Sequence, residues 1–385
     1  MKNRRGGGGG YSTENSVSDF EVILPISICH EIFFRVSTRD IMQCKRVCKS
    51  WYKLLCEPDF SVTYSKKSPF TTLIVRSTPG EVLDLLEISD NGDIVSTRIK
   101  PGWLKTKFHL SSSCNGLLCL ISAHKRGVEL VHIINPVMGE CIALPQHEIG
   151  YKVHVFSRYT LVFCPSINRF KVVSIIYQDW GEKEVDRCEI FTVGVDDRWR
   201  RVTNRFTNCY SKFFGSVEMI YLDEALHWIP HVKEPSLIET FDLAEEKAGR
   251  CLHLPCGLVL ERARTNLKIF NNQLCLVENS SWFEISIWTM KEYGIVESWT
   301  KEHVVMRIWF PRKAIAFSRH MLDLVAKSQN GDIIFQYTDH DDTLTFYNFK
   351  EKKCIEIGGF GVKRHTTGTV AYEPSFLSLE EFMVR

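Results

Sequence analysis

Fourteen cysteines and thirteen histidines are the side chains of this sequence best equipped for chemistry, which would be metal binding, thiol exchange or nucleophilic catalysis. A structural zinc site needs ligands at short, paired spacings, because four of them must converge on one tetrahedral ion. The cysteines stand at 29, 44, 48, 56, 114, 119, 141, 164, 188, 209, 251, 256, 275 and 354, with no Cys-x-x-Cys and no cysteine pair followed by a spaced histidine pair. Most sit among aliphatic residues, as in Leu117-Leu118-Cys119-Leu120 and Gln273-Leu274-Cys275-Leu276, the setting of a small buried hydrophobe. Asp339-His340-Asp341-Asp342 offers carboxylates and an imidazole, but neighbours in one loop rarely point at the same ion. His227 and His231 lie four apart, yet Pro230 between them ends a strand on which they would share a face. There is no Gly-x-Ser-x-Gly and no Walker loop, and Gly358-Gly359-Phe360-Gly361 lacks the third glycine of a dinucleotide fingerprint. Asn279-Ser280-Ser281 is read as a chance match to a glycosylation acceptor. The expectation is no catalytic residue, no metal site and no cofactor.

Charge and hydropathy narrow the classes further. Lys plus Arg number 48 against 46 Asp plus Glu, a net charge of +2, without the lopsided balance of a nucleic-acid or membrane-surface binder. Lys45, Arg46, Lys49 and Lys53 could suggest a DNA-reading helix, but a solvated basic face explains them as well. Hydrophobic residues make up 44% of the 385, enough for a sizeable core. No run approaches the roughly 18 apolar residues of a membrane helix. The opening Met1-Lys2-Asn3-Arg4-Arg5 and its five following glycines lack the apolar stretch of a secretory leader. The chain is therefore expected in the cytoplasm, the nucleus or both, with its thiols reduced.

Two periods organise the chain. Residues 1–19 are Gly-, Ser- and Asn-rich and read as a disordered tail. Residues 20–65 carry helical stripes: Leu24-Pro25 opens one helix through Ile28, Ile32 and Phe33, and a second runs Ile41, Cys44, Val47, Cys48 and Trp51. Ser37 to Asp40 supply turn and capping residues between them, and Glu57-Pro58-Asp59 reads as a stop. Two or three short helices bury too little to be stable alone, so a partner is implied. From about 70 the period becomes two. Strand-turn units recur from near 70, 108, 158, 216, 266 and 321, and Trp199 and Trp299 each open a closing strand. Four short strands per unit predict an all-β propeller of six blades over 66–385, with Thr369 to Tyr372 closing the ring; an irregular β-sandwich is the alternative.

The helical segment resembles an F-box of the plant type. The residues that carry the resemblance are Leu24-Pro25, Ile28, Glu31-Ile32, Arg35, Ile41, Cys44-Lys45, Val47-Cys48-Lys49, Ser50-Trp51-Tyr52 and Pro58-Asp59-Phe60. The remainder resembles the F-box-associated, kelch-like domain that follows it in such proteins. That resemblance rests on residues 113–119 (Ser-Cys-Asn-Gly-Leu-Leu-Cys), Asn135-Pro136, Leu144-Pro145, Phe170 to Val173, Ala225 to Trp228, Lys291 to Gly294 and Glu297-Ser298-Trp299. The resemblance implies a non-catalytic substrate receptor of an SCF-type cullin–RING ubiquitin ligase. Its F-box would bind a Skp-type adaptor, and its β domain would capture a target protein. Adaptor contact then falls on Leu24, Pro25, Ile28, Ile32, Ile41, Val47 and Trp51, of which Val47 and Trp51 are the first candidates for internal packing. One departure is Arg35-Val36-Ser37, where the family usually has Arg-Leu-Pro. Losing that proline frees the turn and weakens the expected hold on the adaptor, although Ser37 or Thr38 could cap the next helix.

The propeller reading also places a target. Second-to-third-strand connections share one face of such a ring, and here they span 123–127, 178–186, 231–236, 278–283 and 338–342. Loops on a rigid scaffold are the usual seat of binding, with Trp and Arg common at hot spots. Lys125, Arg126, Trp180, Trp282, Asp339 and Asp341 are the expected contacts. Two rivals stand beside the receptor reading: a non-degradative scaffold and a propeller enzyme.

Overall fold

The protein, seen in a computed structural model, is described over residues 25–77, 82–99, 108–123, 129–147, 155–178, 187–202, 210–211, 215–216, 219–230, 237–256, 258, 265–278, 284–306, 322–328, 330–337, 344–348, 351–357 and 369–383. It opens with four helices, α1 (Ile26–Phe33), α2 (Thr38–Cys44), α3 (Lys49–Leu55) and α4 (Pro58–Lys67). The second apolar stripe is therefore two helices rather than one, and Pro58, which follows the end of α3 at the expected stop, also starts a further helix. Local capping explains both. Ser37 Oγ accepts from Asp40 N at 3.2 Å and donates to its carboxylate at 2.8 Å, which starts α2. Cys48 Sγ accepts from Trp51 N at 3.4 Å and restarts the chain as α3 after a turn. Pro58 occupies the first turn of α4, where its missing N–H is no loss.

Six antiparallel blades follow, with a separate two-stranded pairing of Tyr210–Ser211 with Gly215–Ser216, and the described strands of each blade run outward from the axis. Blade 1 is Thr369–Ala371, Phe70–Ser77, Val82–Ser89 and Ile94–Ile99. Blade 2 is Phe108–Cys114, Leu117–Ala123, Glu129–Asn135 and Glu140–Ala143. Blade 3 is Val155–Cys164, Arg169–Gln178, Arg187–Thr192 and Arg200–Val202. Blade 4 is Ile220–Leu222, Ala225–Trp228 and Leu237–Asp242, its outer edge split between Lys247–Ala248 and Leu252–His253. Blade 5 is Thr265–Phe270, Gln273–Glu278, Glu284–Met290 and Trp299–Met306. Blade 6 is Leu322–Lys327, Ile333–Tyr337, Leu344–Asn348 and Lys353–Ile357. First strands of blades 1 and 2, 2 and 3, 4 and 5, 5 and 6, and 6 and 1 touch one another, as a ring requires. The final strand closes that ring by pairing Leu73 with Ala371 and Val75 with Thr369. The fold expected from the sequence is thus the fold present, with six blades.

Seams between blades account for several sequence motifs. Trp199 Nε1 donates to Pro145 O at 2.7 Å, and Trp299 Nε1 donates to His253 O at 3.0 Å, so each Trp clips its blade to the outer edge of the preceding one. His227, fully buried in blade 4, meets Tyr293 OH of blade 5 at 2.6 Å. The inner turns bend through left-handed residues, Asn115-Gly116, Asn168, Asp223-Glu224 and Asn271-Asn272, the chemistry that tight hairpins favour.

The helices sit on the face where these inner turns open. Phe33, Phe34, Ile41, Leu54, Leu55, Phe60 and Tyr64 share one core with Ile74, Leu83 and Leu85 of blade 1 and Phe108, Leu118 and Ile134 of blade 2. Glu87 of blade 1, also fully buried, accepts from Thr38 N at 2.6 Å, and Tyr64 OH donates to Val36 O at 2.8 Å. Burial pushes the Glu87 carboxyl above its ordinary range, with the α2 backbone donors opposing it and Asp40 adding to it.

Two outcomes follow from this junction. Gly116 has φ +78°, and a Cβ there would lie 2.1 Å from Ser375 Cβ and 2.6 Å from its backbone nitrogen. Gly139 also has a positive φ, of +73°, but open space around it. Gly139→Ala is expected to cost about 1 kcal/mol in denaturant unfolding, and Gly116→Ala about 3 kcal/mol or more; equal costs would remove the steric argument. For Glu87, an acid with a raised folded pKa holds more protons folded than unfolded, so its contribution makes stability fall as pH rises above the ordinary carboxylate value. Glu87→Gln should flatten that slope and be at least as stable as wild type at neutral pH, with Gln still able to accept from Thr38 N. Thermal midpoints of both proteins between about pH 4.5 and 7.5 test this, and parallel profiles would contradict it.

Candidate functional site

Helix α1 is apolar on two sides. Phe33 turns inward, with its ring edge-on to Trp51 at 5.0 Å, while Ile28 and Ile32, one turn apart, face out. Ile26, Val47, Tyr52 and Val62 are exposed on the same helical module, so six large apolar side chains stand 45% to 67% open to solvent. Ile28 and Ile32 adjoin on one helix, and apolar exposure of this kind is characteristic of interaction surfaces. Basic residues border it: Arg35, Arg46, Lys49 and Lys53 are exposed. Lys67 is paired with Glu31 at 2.7 Å, which with its charge holds the Glu31 carboxyl below the ordinary range.

The residues expected to contact an adaptor divide three ways. Pro25, Ile28, Ile32 and Val47 are exposed, so Val47 is not the internal residue the sequence suggested. Trp51 is half-buried against Phe33. Ile41 is fully buried in the core shared with blades 1 and 2 and presents no surface to a partner. Leu24 lies outside the described residues. Ile26, Tyr52 and Val62 are exposed but are not among the expected contacts. Val62 lies on α4, which the sequence does not announce, whereas Ile26 directly follows the proline that opens α1.

The second strands of the blades end, and the third begin, on the opposite face of the ring. Lys125, Arg126, Trp180, Trp282, Asp339 and Asp341 all fall outside the described residues. The strands that border them, ending at Ala123, Gln178, Glu278 and Tyr337, run away from the helical module. Beneath that face, between blades 2 and 3, His147 Nδ1 lies 2.6 Å from Glu189 Oε2, and its ring stacks on Trp199 at 4.0 Å. Tyr159 OH donates to Glu129 Oε2 at 3.1 Å beside them.

Two arrangements invite a catalytic reading and do not sustain it. Ser122 Oγ lies 3.0 Å from His132 Nε2, with Cys141 Sγ 3.9 Å from the other ring nitrogen. Ser122 is wholly buried within blade 2, where no substrate could reach it, and burial lowers the His132 pKa, weakening it as a base. The His147–Glu189 pair has no nucleophile on its second nitrogen among the described residues. Burial also raises the thiols, to about 12 at Cys114 and Cys119 and about 11 at Cys141 and Cys164, far from thiolate at neutral pH. Among the described residues all thiols are free, but only Cys119, Cys164, Cys188 and Cys275 are fully buried and Cys251 and Cys256 are exposed, so the sequence overstated their burial. Among the described residues, too, no three His, Cys, Asp or Glu side chains converge as a metal site, and no helix is long and apolar enough to cross a membrane.

Comparison with known proteins fits both halves of this architecture. The F-box-like family matches residues 22–61, spanning α1 to the start of α4. The F-box associated beta propeller domain matches residues 85–375, from inside blade 1 to the segment beyond the closing strand. Among relatives in Arabidopsis thaliana, F-box protein CPR1 is 22% identical over 353 residues, covering 86% of this chain and 83% of that protein. F-box protein At3g07870 is 25% identical over 316 residues, covering 73% of this chain and 72% of its own length. A helical module with an unfilled apolar face, joined to six blades whose inner turns and seams are made by the matched motifs, identifies this chain as an F-box protein of the F-box associated beta propeller family.

Proposed function

We propose that the chain is the substrate receptor of an SCF-type cullin–RING ubiquitin ligase. The observation that carries this reading is the apolar surface left exposed on the helical module at Ile26, Ile28, Ile32, Val47, Tyr52 and Val62. A Skp-type adaptor would cover it, recovering on the order of 1 kcal/mol for each half-exposed side chain, and a groove lined by helices suits such a face. The opposite face is left for a target protein, with Lys125, Arg126, Trp180, Trp282, Asp339 and Asp341 as its proposed contacts. The receptor supplies no bond-making chemistry. It works by proximity, holding target lysines at high effective concentration near a charged conjugating enzyme. Cytoplasm and nucleus are the compartments where that machinery would be met.

The test is adaptor affinity of the purified chain, measured for wild type, for Ile28→Asp with Ile32→Asp, and for Val195→Asp, an exposed apolar position on the propeller. The double substitution should weaken binding by about 100-fold or more. Val195→Asp should leave it unchanged, and the thermal midpoints of all three should agree. Undiminished binding by the double variant, or no binding by wild type, would overturn the reading.

A further inference from the structure

The last strand of the chain closes the ring, and the residues just after it hold the F-box. Thr369–Ala371 pairs with the first strand that follows the helices, and Tyr372 N extends the pairing to Thr72 O at 2.9 Å. Blade 2 then grips the chain. Tyr372 OH donates to Gly116 O at 3.0 Å, and Asn135 Nδ2 donates to Ser375 O and Leu377 O at 3.1 and 2.8 Å. Glu140 accepts from Leu379 N and Ser378 Oγ at 2.5 and 3.0 Å.

Between these grips Phe376 points into the helical module and is fully buried. Its ring stands edge-on to Phe60 at 5.6 Å and to Tyr64 at 5.4 Å. Its backbone N–H donates to Ser61 Oγ at 2.9 Å, and its carbonyl accepts from Lys45 Nζ at 3.3 Å. The helices have no separate core: their buried side chains belong to the cluster that contains Phe376, Tyr372 and blades 1 and 2. A module of this size is marginal by itself, so the seat matters to its stability.

We propose that residues 372–379, with Phe376 at their centre, are a positioning element that couples ring closure to the adaptor-binding competence of the F-box. The inference rests on the receptor reading for its adaptor arm, while its exchange arm does not. A ring that has not closed leaves the helices without their seat, and a receptor that cannot yet hold a target does not engage the adaptor. Linkage makes the coupling reciprocal: adaptor binding tightens the closing strand by the same factor.

The experiment uses the full chain. Phe376→Ala and Ser61→Ala are compared with Phe335→Ala, which removes an equally buried ring from the separate core of blades 5 and 6. Amide exchange of the helices and of the closing strand is followed, together with affinity for a Skp-type adaptor. Phe376→Ala should speed exchange in α2 to α4 and weaken adaptor binding about tenfold or more. Ser61→Ala should act in the same direction by about threefold, and it carries the test if Phe376→Ala does not fold. Phe335→Ala should leave adaptor affinity and helix exchange as in wild type. Wild-type affinity in both Phe376→Ala and Ser61→Ala, or an equal loss in Phe335→Ala, overturns the coupling. If wild type itself binds no adaptor, the receptor reading fails, and unchanged helix exchange in the Ser61 and Phe376 variants would then separately sink the coupling.

Discussion

One buried amide holds the architecture at its most crowded point. Asn135 is fully buried at the end of a blade 2 strand, and both ends of its side chain are satisfied. Its oxygen accepts from Val137 N and Met138 N, and its nitrogen donates to the two carbonyls on either side of Phe376. A buried amide stripped of its partners costs about 1–3 kcal/mol for each group left unpaired, so the turn and the C-terminal segment hold each other in place. Because alternate residues of an extended segment point to opposite sides, fixing the carbonyls of 375 and 377 sends the Phe376 ring toward α4. The segment could not lie so close to blade 2 if residue 116 carried a side chain. Helices, ring and terminus therefore meet through a few atoms of residues 116, 135 and 376.

Elsewhere the ring is held by seams of mixed character. Arg200 of blade 3 makes two hydrogen bonds to Glu246 of blade 4, both at 2.7 Å, and a third to Asp196 at 2.9 Å; Lys171 joins the same carboxylate at 2.9 Å. Arg200, ahead of Lys171, holds the Glu246 carboxyl below its ordinary range against the opposing effect of burial. His227 behaves differently. Burial drives its pKa down to about 4, so the folded protein keeps it neutral while the unfolded chain protonates it below about 6.5. Stability from this group is present above that range and is lost as pH falls toward 4, opposite in sign to Glu87. The blade 4 to 5 seam and the helix-to-ring junction thus respond to acid in opposite directions.

The sequence announces the ring more plainly than its contacts. Blade starts near 70, 108, 158, 216, 266 and 321 fall within a few residues of the strands, since turn residues such as Asn115-Gly116 and Asn271-Asn272 are local signals. Alternation was a weaker guide. Val82–Ser89 is buried along nearly its whole length, because blades stack face to face and cover both sides of a middle strand. The helical module was legible as apolar stripes but not as inner and outer faces. Ile41 and Val47 belong to the same stripe, yet one is wholly buried and the other largely exposed. What separates them is the break at residues 45–48 and the seat provided by residues more than 300 positions later, as at Lys45 and Phe376. No pattern within the first 65 residues carries that information.

The division of faces bears on mechanism. The apolar surface of the helices and the far ends of the second strands lie at opposite ends of the blades, so an adaptor and a target bound as proposed would not compete for area. A flexible tether between two such sites would spread a bound target over many orientations and dilute its effective concentration. Here the helices share a core with two blades, are hydrogen-bonded from Glu87 and are pinned by Phe376, so the separation of the two faces is set by packed structure. Such rigidity would suit the proposed receptor, whose contribution is placement. In the receptor we propose, the work of this chain would lie in what it holds and at what distance, with the bond-making group arriving on another subunit.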